Sequence, residues 1–353
     1  TRTNQLTKLG DPLVDLKQRI DWEAFRVDLV KVHEKKRKSN AGAKPIDVVL
    51  LFQMLVLQHL YNLSDEEIEY QVRDRLSFMR FLGLQLEDRV PDAKTVWLFR
   101  ERLTELGLVE RLFERFHEQL AAHGYVARQG QMVDATFVEV PKQRNSREEN
   151  AQIKVGEIPT GWKVNQARQK DVDARWAKKH EETHYGYKNH VNADEANKLI
   201  QDYVVTHAAV HDSQVLDQLL DHTPQADGTK RPVYADSAYR SQEREKPLAE
   251  VKLPSKICET GSRGHPLTEE QKKNNRDKSK VRARVEHIFG AQNQMGGHLV
   301  RTIGIARAKT KVGMMNLVYN MKRLVQLLKR DANKKKSVSG SCSSREELAG
   351  VTA

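Results

Sequence analysis

The sequence predicts an α/β protein in which an α-helical N-terminal domain precedes a domain built on a mixed sheet. Three observations carry this. Apolar residues recur at helical spacing over the first 125 or so positions, the period drops to two at Gln131, and strand-like and helix-like segments then alternate. A chain of 353 residues suits two or three domains and a sizeable core. We divide it into a helical domain at 1–125, an α/β domain at 126–330 with a polar insertion at about 142–183, and a Lys- and Ser-rich tail at 331–353 that reads as disordered.

Asp21 stands where it can cap a helix carrying Trp22, Phe25, Leu29 and Val32. Pro45 opens a densely apolar helix at 46–60, which is interrupted by Gln53, Gln58 and His59 and is too short to span a bilayer. Ser64-Asp-Glu-Glu67 is a capping box, in which the Ser64 hydroxyl and the Glu67 carboxylate each take one free backbone amide. After Pro91-Asp92, the residues Val96, Phe99, Leu103 and Leu106 share one helix face and leave Lys94, Arg100 and Arg102 towards solvent. These short helices suit a helix-turn-helix unit and an ordinary bundle equally, because no base-reading pattern is visible.

Residues 131–140 alternate as a strand, with Val133, Ala135 and Phe137 on one face and Asp134, Thr136 and Val138 on the other. The insertion that follows reads as a loop or arm. In it, Trp162 and Trp176 suit local packing better than stacking on an unpaired base. Strand patterns return at 185–191 and 199–206, and Asp212-Ser213 caps a helix carrying Val215, Leu216, Leu219 and Leu220. A short buried strand at 232–236 precedes a helix from near Ser241 and a further strand at 251–257. Helices are expected at 280–294, with Val281, Val285, Ile288 and Phe289 along one side, and at 309–329.

Charge then narrows the function. There are 60 Lys and Arg against 48 Asp and Glu, a net charge of +12, and much of the excess falls between 263 and 311. Clustered positive charge favours a polyanionic partner. The two cysteines, Cys258 and Cys342, form neither a disulfide framework nor a zinc motif, which fits a reducing cytoplasm. No secretory leader pattern is read. His180, His184, His190, His207 and His211 lack the cysteine or glutamate neighbours of a zinc site.

Within this basic chain Asp134, Asp236 and Glu286 occupy awkward places: inside an apolar strand, at the end of another, and in an arginine-rich helix. Buried carboxylates are normally paired or bind metal. Each also has an ordinary reading, as an exposed edge-strand residue, a helix cap, or an i,i+4 partner of Arg282. Asp134 belongs to the strand that starts the sheet, and Ser237 and Ser241 are alternative caps. An Arg-before-Glu pair contributes only about 0.3–0.5 kcal/mol. Three carboxylates in a phosphate-attracting protein suit two-metal phosphoryl transfer.

Five blocks occur in order: Met132-Val-Asp-Ala-Thr136, His184-Tyr-Gly-Tyr-Lys-Asn-His190, Ala209-Val-His-Asp-Ser213, Tyr234-Ala-Asp-Ser-Ala-Tyr239 and Arg284-Val-Glu-His-Ile-Phe-Gly290. Together they resemble bacterial insertion-sequence DDE transposases of the insertion-sequence-five group, related to the insertion-sequence-four group. Residues 44–106 resemble that group's helical N-terminal region, especially Leu63-Ser-Asp-Glu-Glu67 and Arg75-Leu-Ser-Phe-Met-Arg-Phe-Leu-Gly83.

The resemblance implies a ribonuclease-H-like α/β domain whose catalytic and metal-binding acids are Asp134, Asp236 and Glu286. It implies two Mg2+ ions, with Mn2+ able to substitute. The related signature Tyr-x2-Arg-x3-Glu-x6-Lys is matched by Arg282 and Glu286, while Ser279 and Asn293 replace its tyrosine and lysine. The expected activity is cleavage at the ends of the element and joining of the 3′-hydroxyls to target DNA. Terminal inverted repeats and target duplex are the expected partners, bound by a homodimer in the bacterial cytoplasm, at the nucleoid, with no membrane. For DNA contact we single out Arg282, Arg284, Lys280, Lys278, Arg276, Lys188, His190, Arg301, Arg307 and Lys311. The competing readings are a catalytically inactive DNA-binding descendant and a metal-dependent nuclease without strand transfer.

Overall fold

The computed structural model describes residues 2–34, 45–179, 181–225, 228–240, 253–261 and 264–349, with residues 3 and 336–349 as backbone only. Eight helices build the N-terminal region among these: α1 Arg2–Lys8, α2 Pro12–Arg19, α3 Arg26–Leu29, α4 Val48–Tyr61, α5 Asp65–Asp74, α6 Leu76–Leu82, α7 Ala93–Glu105 and α8 Leu108–Ala122. The Asp21 helix is made of shorter pieces, with 3-10 turns on both sides of α3, but Trp22, Phe25, Leu29 and Val32 are all buried as expected. Helix α4 starts later than Ile46 because the Asp47 carboxylate accepts from the Val49 and Leu50 amides and sets the first turn there. The capping box at Ser64 forms with both of its bonds.

One expectation fails here. Arg100 does not face solvent but grips Asp65 with two bonds of 2.7 and 2.8 Å and also reaches Gln58. Helix periodicity places Arg100 off the face of Val96 and Phe99; it cannot register that α5 packs against that second face.

The sheet consists of β1 Gln131–Glu139, β2 Arg175–Lys179, β3 Glu182–Asp194, β4 Ile200–His207 and β5 Val233–Tyr234. Strand β3 runs antiparallel to β1, β2 and β4, and β5 lies parallel to β1 on that strand's other edge. An antiparallel β1–β3–β4 meander with a parallel strand added beside the first is the ribonuclease-H-like arrangement. A parallel bridge from Val233 to Ser255 continues it. The helix expected near Ser241 lies outside the described residues, as do the first two positions of the strand expected at 251–257.

The insertion carries α9 Arg147–Lys154, α10 Val164–Gln169 and the β2–β3 hairpin, so it is more than a loop. Trp162 is anchored locally, its indole N–H donating to Glu149 at 2.6 Å, whereas Trp176 stays 42% exposed. Gly186 marks where β3 passes from β2 to β1. Its φ is +147°, and a Cβ there would collide with the Val138 carbonyl oxygen, so only glycine fits this crossing.

After β4, a 3-10 turn at Asp212–Val215 leads into α11 Leu216–Leu219. The helix expected at 280–294 is two helices, α12 Glu269–Arg282 and α13 Glu286–Gln294, joined by a 3-10 turn at Ala283–Val285. The last helix, α14, spans Ile305–Ala349, into the segment read from sequence as a tail. It begins before Lys309 because Asp171 and Asp173 accept from the Gly304 and Ile305 amides at 3.2 and 2.9 Å.

Two cores flank the sheet. One joins the N-terminal helices to Met132, Val138, Tyr187 and Val191 of the sheet through α14, which packs on α2, α4, α7 and α8 as well as β3 and β4. The other gathers Val133, Val215, Leu216, Leu219, Val233 and Tyr239. Among the described residues no helix is long and apolar enough to cross a membrane.

Candidate active site

Asp134 sits on the central strand, facing Val191 of β3 across the antiparallel pair. On the other edge, Gln131 pairs with Val233 and Met132 with Tyr234, an offset of 102 positions (233 − 131). Asp236 stands at the same offset from Asp134 (236 − 134), two residues beyond the last pair. The parallel register therefore carries the two carboxylates abreast on neighbouring strands, whose spacing is about 4.8 Å. They lie at the carboxyl end of β5, where sites gather in parallel sheets. Asp236 also does the ordinary work of a cap, its Oδ1 accepting from the Ala238 amide at 2.9 Å at the start of the 3-10 turn Ser237–Tyr239.

Asp134 is only 9% exposed. Its Oδ1 accepts from the Ala135 amide at 2.8 Å and its Oδ2 from Arg282 Nη1 at 3.0 Å. Burial nevertheless dominates and pushes the carboxyl up to about 6; Arg282 opposes that, and the charge of Asp236 adds to it. An acid that is hard to ionise in spite of a touching guanidinium is short of positive charge.

Arg282 is the last residue of α12 and Glu286 the first of α13, with the 3-10 turn between them. Both α12 and that turn pack against β1. Arg282 thus points back to the strand and does not bridge to Glu286, which is exposed and whose side chain makes no hydrogen bond or ion pair among the described residues. The structure brings Asp134, Asp236 and Arg282 together; Glu286 stands on the adjoining segment. Among the described residues no group of three His, Cys, Asp or Glu side chains is close enough to hold a metal ion. Asp134 and Asp236 suit a hard divalent cation as two oxygen donors, and the third acid does not close the set in this arrangement.

The basic residues divide into inward and outward groups. Lys188 is buried, donating to Asp212 Oδ1 at 2.7 Å and the Val210 carbonyl at 2.8 Å, and His190 is fully buried against the Thr206 hydroxyl. Neither presents itself to a DNA backbone: on β3 they share the face of Phe137, which the Asp212 turn covers. Lys278 holds the Ile257 carbonyl and Glu259, Arg284 reaches Glu195, Lys280 pairs with Asp277, and Arg307 pairs with Glu101. Arg276 and Arg301 are exposed and have no ion pair among the described residues. Arg301 and Lys311 line a cavity of about 590 Å³ between α5, α7 and the start of α14, to which none of the three acids contributes. There burial pushes the Lys311 amine down to about 8.

Ser279 lies 3.6 Å from Cys258, and Asn293 is exposed. Spacing could not disclose the Arg282–Asp134 pair, whose members are 148 positions apart. It also missed Tyr239, which is fully buried in the smaller core with no hydrogen-bond partner for its hydroxyl among the described residues.

A family model described as "Transposase DDE domain" matches residues 127–321, more than half of the chain. The chain belongs to the DDE transposase family. A second transposase model, described as "Transposase domain (DUF772)", matches residues 1–102. A solved piggyBac transposase synaptic complex with hairpin DNA is similar over 89% of this chain and 74% of that one, at 11% identity and a TM-score of 0.46. The transposase's matched DDE region spans β1, β5 and α13, and with them all three acids.

Proposed function

We propose that this transposase belongs to the insertion-sequence-five group and is bacterial, cutting DNA at the ends of its own element and joining the freed 3′-hydroxyls to target DNA. The observation that carries the reading is the parallel β1–β5 register, which, continued two residues past its last pair, brings Asp236 beyond the end of β5 level with Asp134 in mid-β1, with the Arg282–Glu286 segment laid over β1. Asp134 and Asp236 would hold divalent metal, Mg2+ by preference for oxygen ligands, with Glu286 as the third acid. Metal bound there supplies activation of the attacking oxygen and neutralisation of the leaving one.

The chain's own residues do the rest. Arg282 turns from Asp134 to a phosphate of the scissile strand, which leaves the carboxylate free for the reaction. Arg276 and Arg301, exposed and unpaired among the described residues, are the leading backbone contacts, with Lys280, Arg284 and Arg307 reachable by exchanging a surface ion pair for a phosphate. We assign residues 1–125 to end binding and dimerisation and 126–330 to chemistry, acting as a homodimer on terminal inverted repeats in the bacterial cytoplasm.

The test uses end-containing DNA with Mg2+. The wild type should nick it and join pre-cleaved ends to a plasmid, whereas Asp134→Ala should still shift the DNA without nicking. Equal nicking by both proteins would overturn the assignment of the acids. Cleavage without joined product would leave a plain nuclease.

A further inference from the structure

The cavity between α5, α7 and the start of α14 lies apart from the acids, and both family-matched regions wall it. Gln58, Asp65 and Arg100 come from the N-terminal region, and Arg301, Thr310 and Lys311 from the DDE region. Its volume of about 590 Å³ is within the range of small-ligand sites. Most of the charge on these walls is already engaged. Arg100 holds Asp65, Arg307 holds Glu101, and the Glu67 carboxylate accepts from the Ser64 amide. Glu66 is exposed to solvent.

Two cations of the cavity, Lys311 and Arg301, make no ion pair among the described residues. Burial pushes the Lys311 amine down to about 8, the charge of Arg100 pushes the same way, and Asp65 opposes. Two hydroxyls on the same walls also lack a partner. The Thr302 oxygen is buried and bonded to nothing among the described residues, and Thr310, 5% exposed, makes no side-chain hydrogen bond among them. Thr310 and Lys311 stand three and four positions after Arg307 on α14, so the three share one helix face. Buried polar groups are normally bonded, and what these walls lack is acceptors. A carboxylate would bring two oxygens to this set of donors, whereas a phosphate brings a tetrahedron of them.

We propose that this cavity is a phosphate site, in which Lys311, Arg301 and the Thr302 and Thr310 hydroxyls bind one phosphate group and so tie the N-terminal helices to the start of α14. None of the three acids lines the cavity, so the site stands apart from the metal-binding reading. Only the choice of end DNA over a free phosphate compound as the source of that group rests on the transposition reading. An occupied site turns the unpartnered Lys311 cation from a cost to the fold into a contact.

The experiment titrates the full chain with inorganic phosphate in EDTA at constant ionic strength and follows the melting temperature of the wild type, Lys311→Met and Thr310→Val. The wild type should rise to a plateau. Lys311→Met should start higher and need at least about tenfold more phosphate for half its rise, the scale of one charge-assisted hydrogen bond. Thr310→Val keeps size and charge and should move the midpoint the same way. No saturable rise in the wild type, or wild-type midpoints in both variants, would overturn the proposal. So would a lower starting temperature in Lys311→Met, because the amine would then already be satisfied. Asp134→Ala should keep the wild-type midpoint; losing it would place the phosphate at the acids and overturn the site. If Asp134→Ala keeps the midpoint and nicks like the wild type, only the acid assignment fails. Gel shifts against salt then separate the two sources. A slope of log Kd against log salt reduced by about one in Lys311→Met assigns the phosphate to end DNA. An unchanged slope beside a weakened phosphate response assigns the site to a free phosphate compound.

Discussion

Replacing Asp134 by asparagine should stabilise the metal-free protein, and by an amount that depends on pH. The carboxyl is raised from 3.8 to about 6 in the folded chain, first because it is buried. A raised acid favours folding only while it is protonated. Its stabilising protonated form is complete below the unfolded value and is lost as pH rises through the folded one. The full penalty for ionising it is about 3 kcal/mol, at 1.36 kcal/mol per unit. Between about pH 4.5 and about pH 7.5 the part of this that develops is about 2 kcal/mol. The asparagine side chain carries no such penalty, so the stability gap between variant and wild type should widen by that amount over the range. Arg282 loses its partner in the variant, but it stays charged throughout and so displaces the whole curve without changing its slope. Urea unfolding of both proteins in EDTA, at several pH values in that interval, measures the gap. A gap that stays constant, or narrows with rising pH, would refute the claim that Asp134 is a carboxyl short of positive charge.

Gly186→Ala should cost at least about 2 kcal/mol, because the new Cβ meets the Val138 carbonyl oxygen and the backbone is left-handed there; denaturant midpoints would show it, and a near-neutral result would mean that β3 does not cross as described. Lys311→Met should raise the melting temperature at neutral pH, since burial lowers the amine to about 8. That gain should be full below the lowered value and vanish above the ordinary 10.5, where the amine is neutral folded or unfolded. Arg276→Ala and Arg301→Ala should each reduce the slope of log Kd for DNA against log salt by about one, with sequence preference intact; an unchanged slope would remove that residue from the contact surface.

What is legible in the sequence is what local chemistry determines. The Ser64 capping box, the helix after Pro91-Asp92 and the strand at β1 each follow from neighbours a few positions away, and each forms. The motif blocks point to a transposase, and the family match to 127–321 agrees. Strand β2 stays hidden because Arg-Trp-Ala-Lys-Lys, exposed along much of its length, offers no apolar alternation to read. Lys188 and His190 read as outward because a strand pattern tells two faces apart but not which one a later turn will cover. The partner of Arg282 is missed for a related reason: i,i+4 reasoning sees one helix, and α12 ends against β1.

The shared core around α14 has a consequence for how the chain reaches its working form. The helices matched by the N-terminal transposase model leave the ribosome first, yet the surface that covers them belongs to the segment from Ile305 onward. Their apolar faces wait through the synthesis of the entire sheet before that cover arrives. Nascent chains halted before Ile305 should therefore be protease-sensitive throughout both regions, and helix and sheet should become resistant together when α14 emerges. In such a protein the helical region and the sheet mature in a single event, so a partly made transposase holds neither in its folded form.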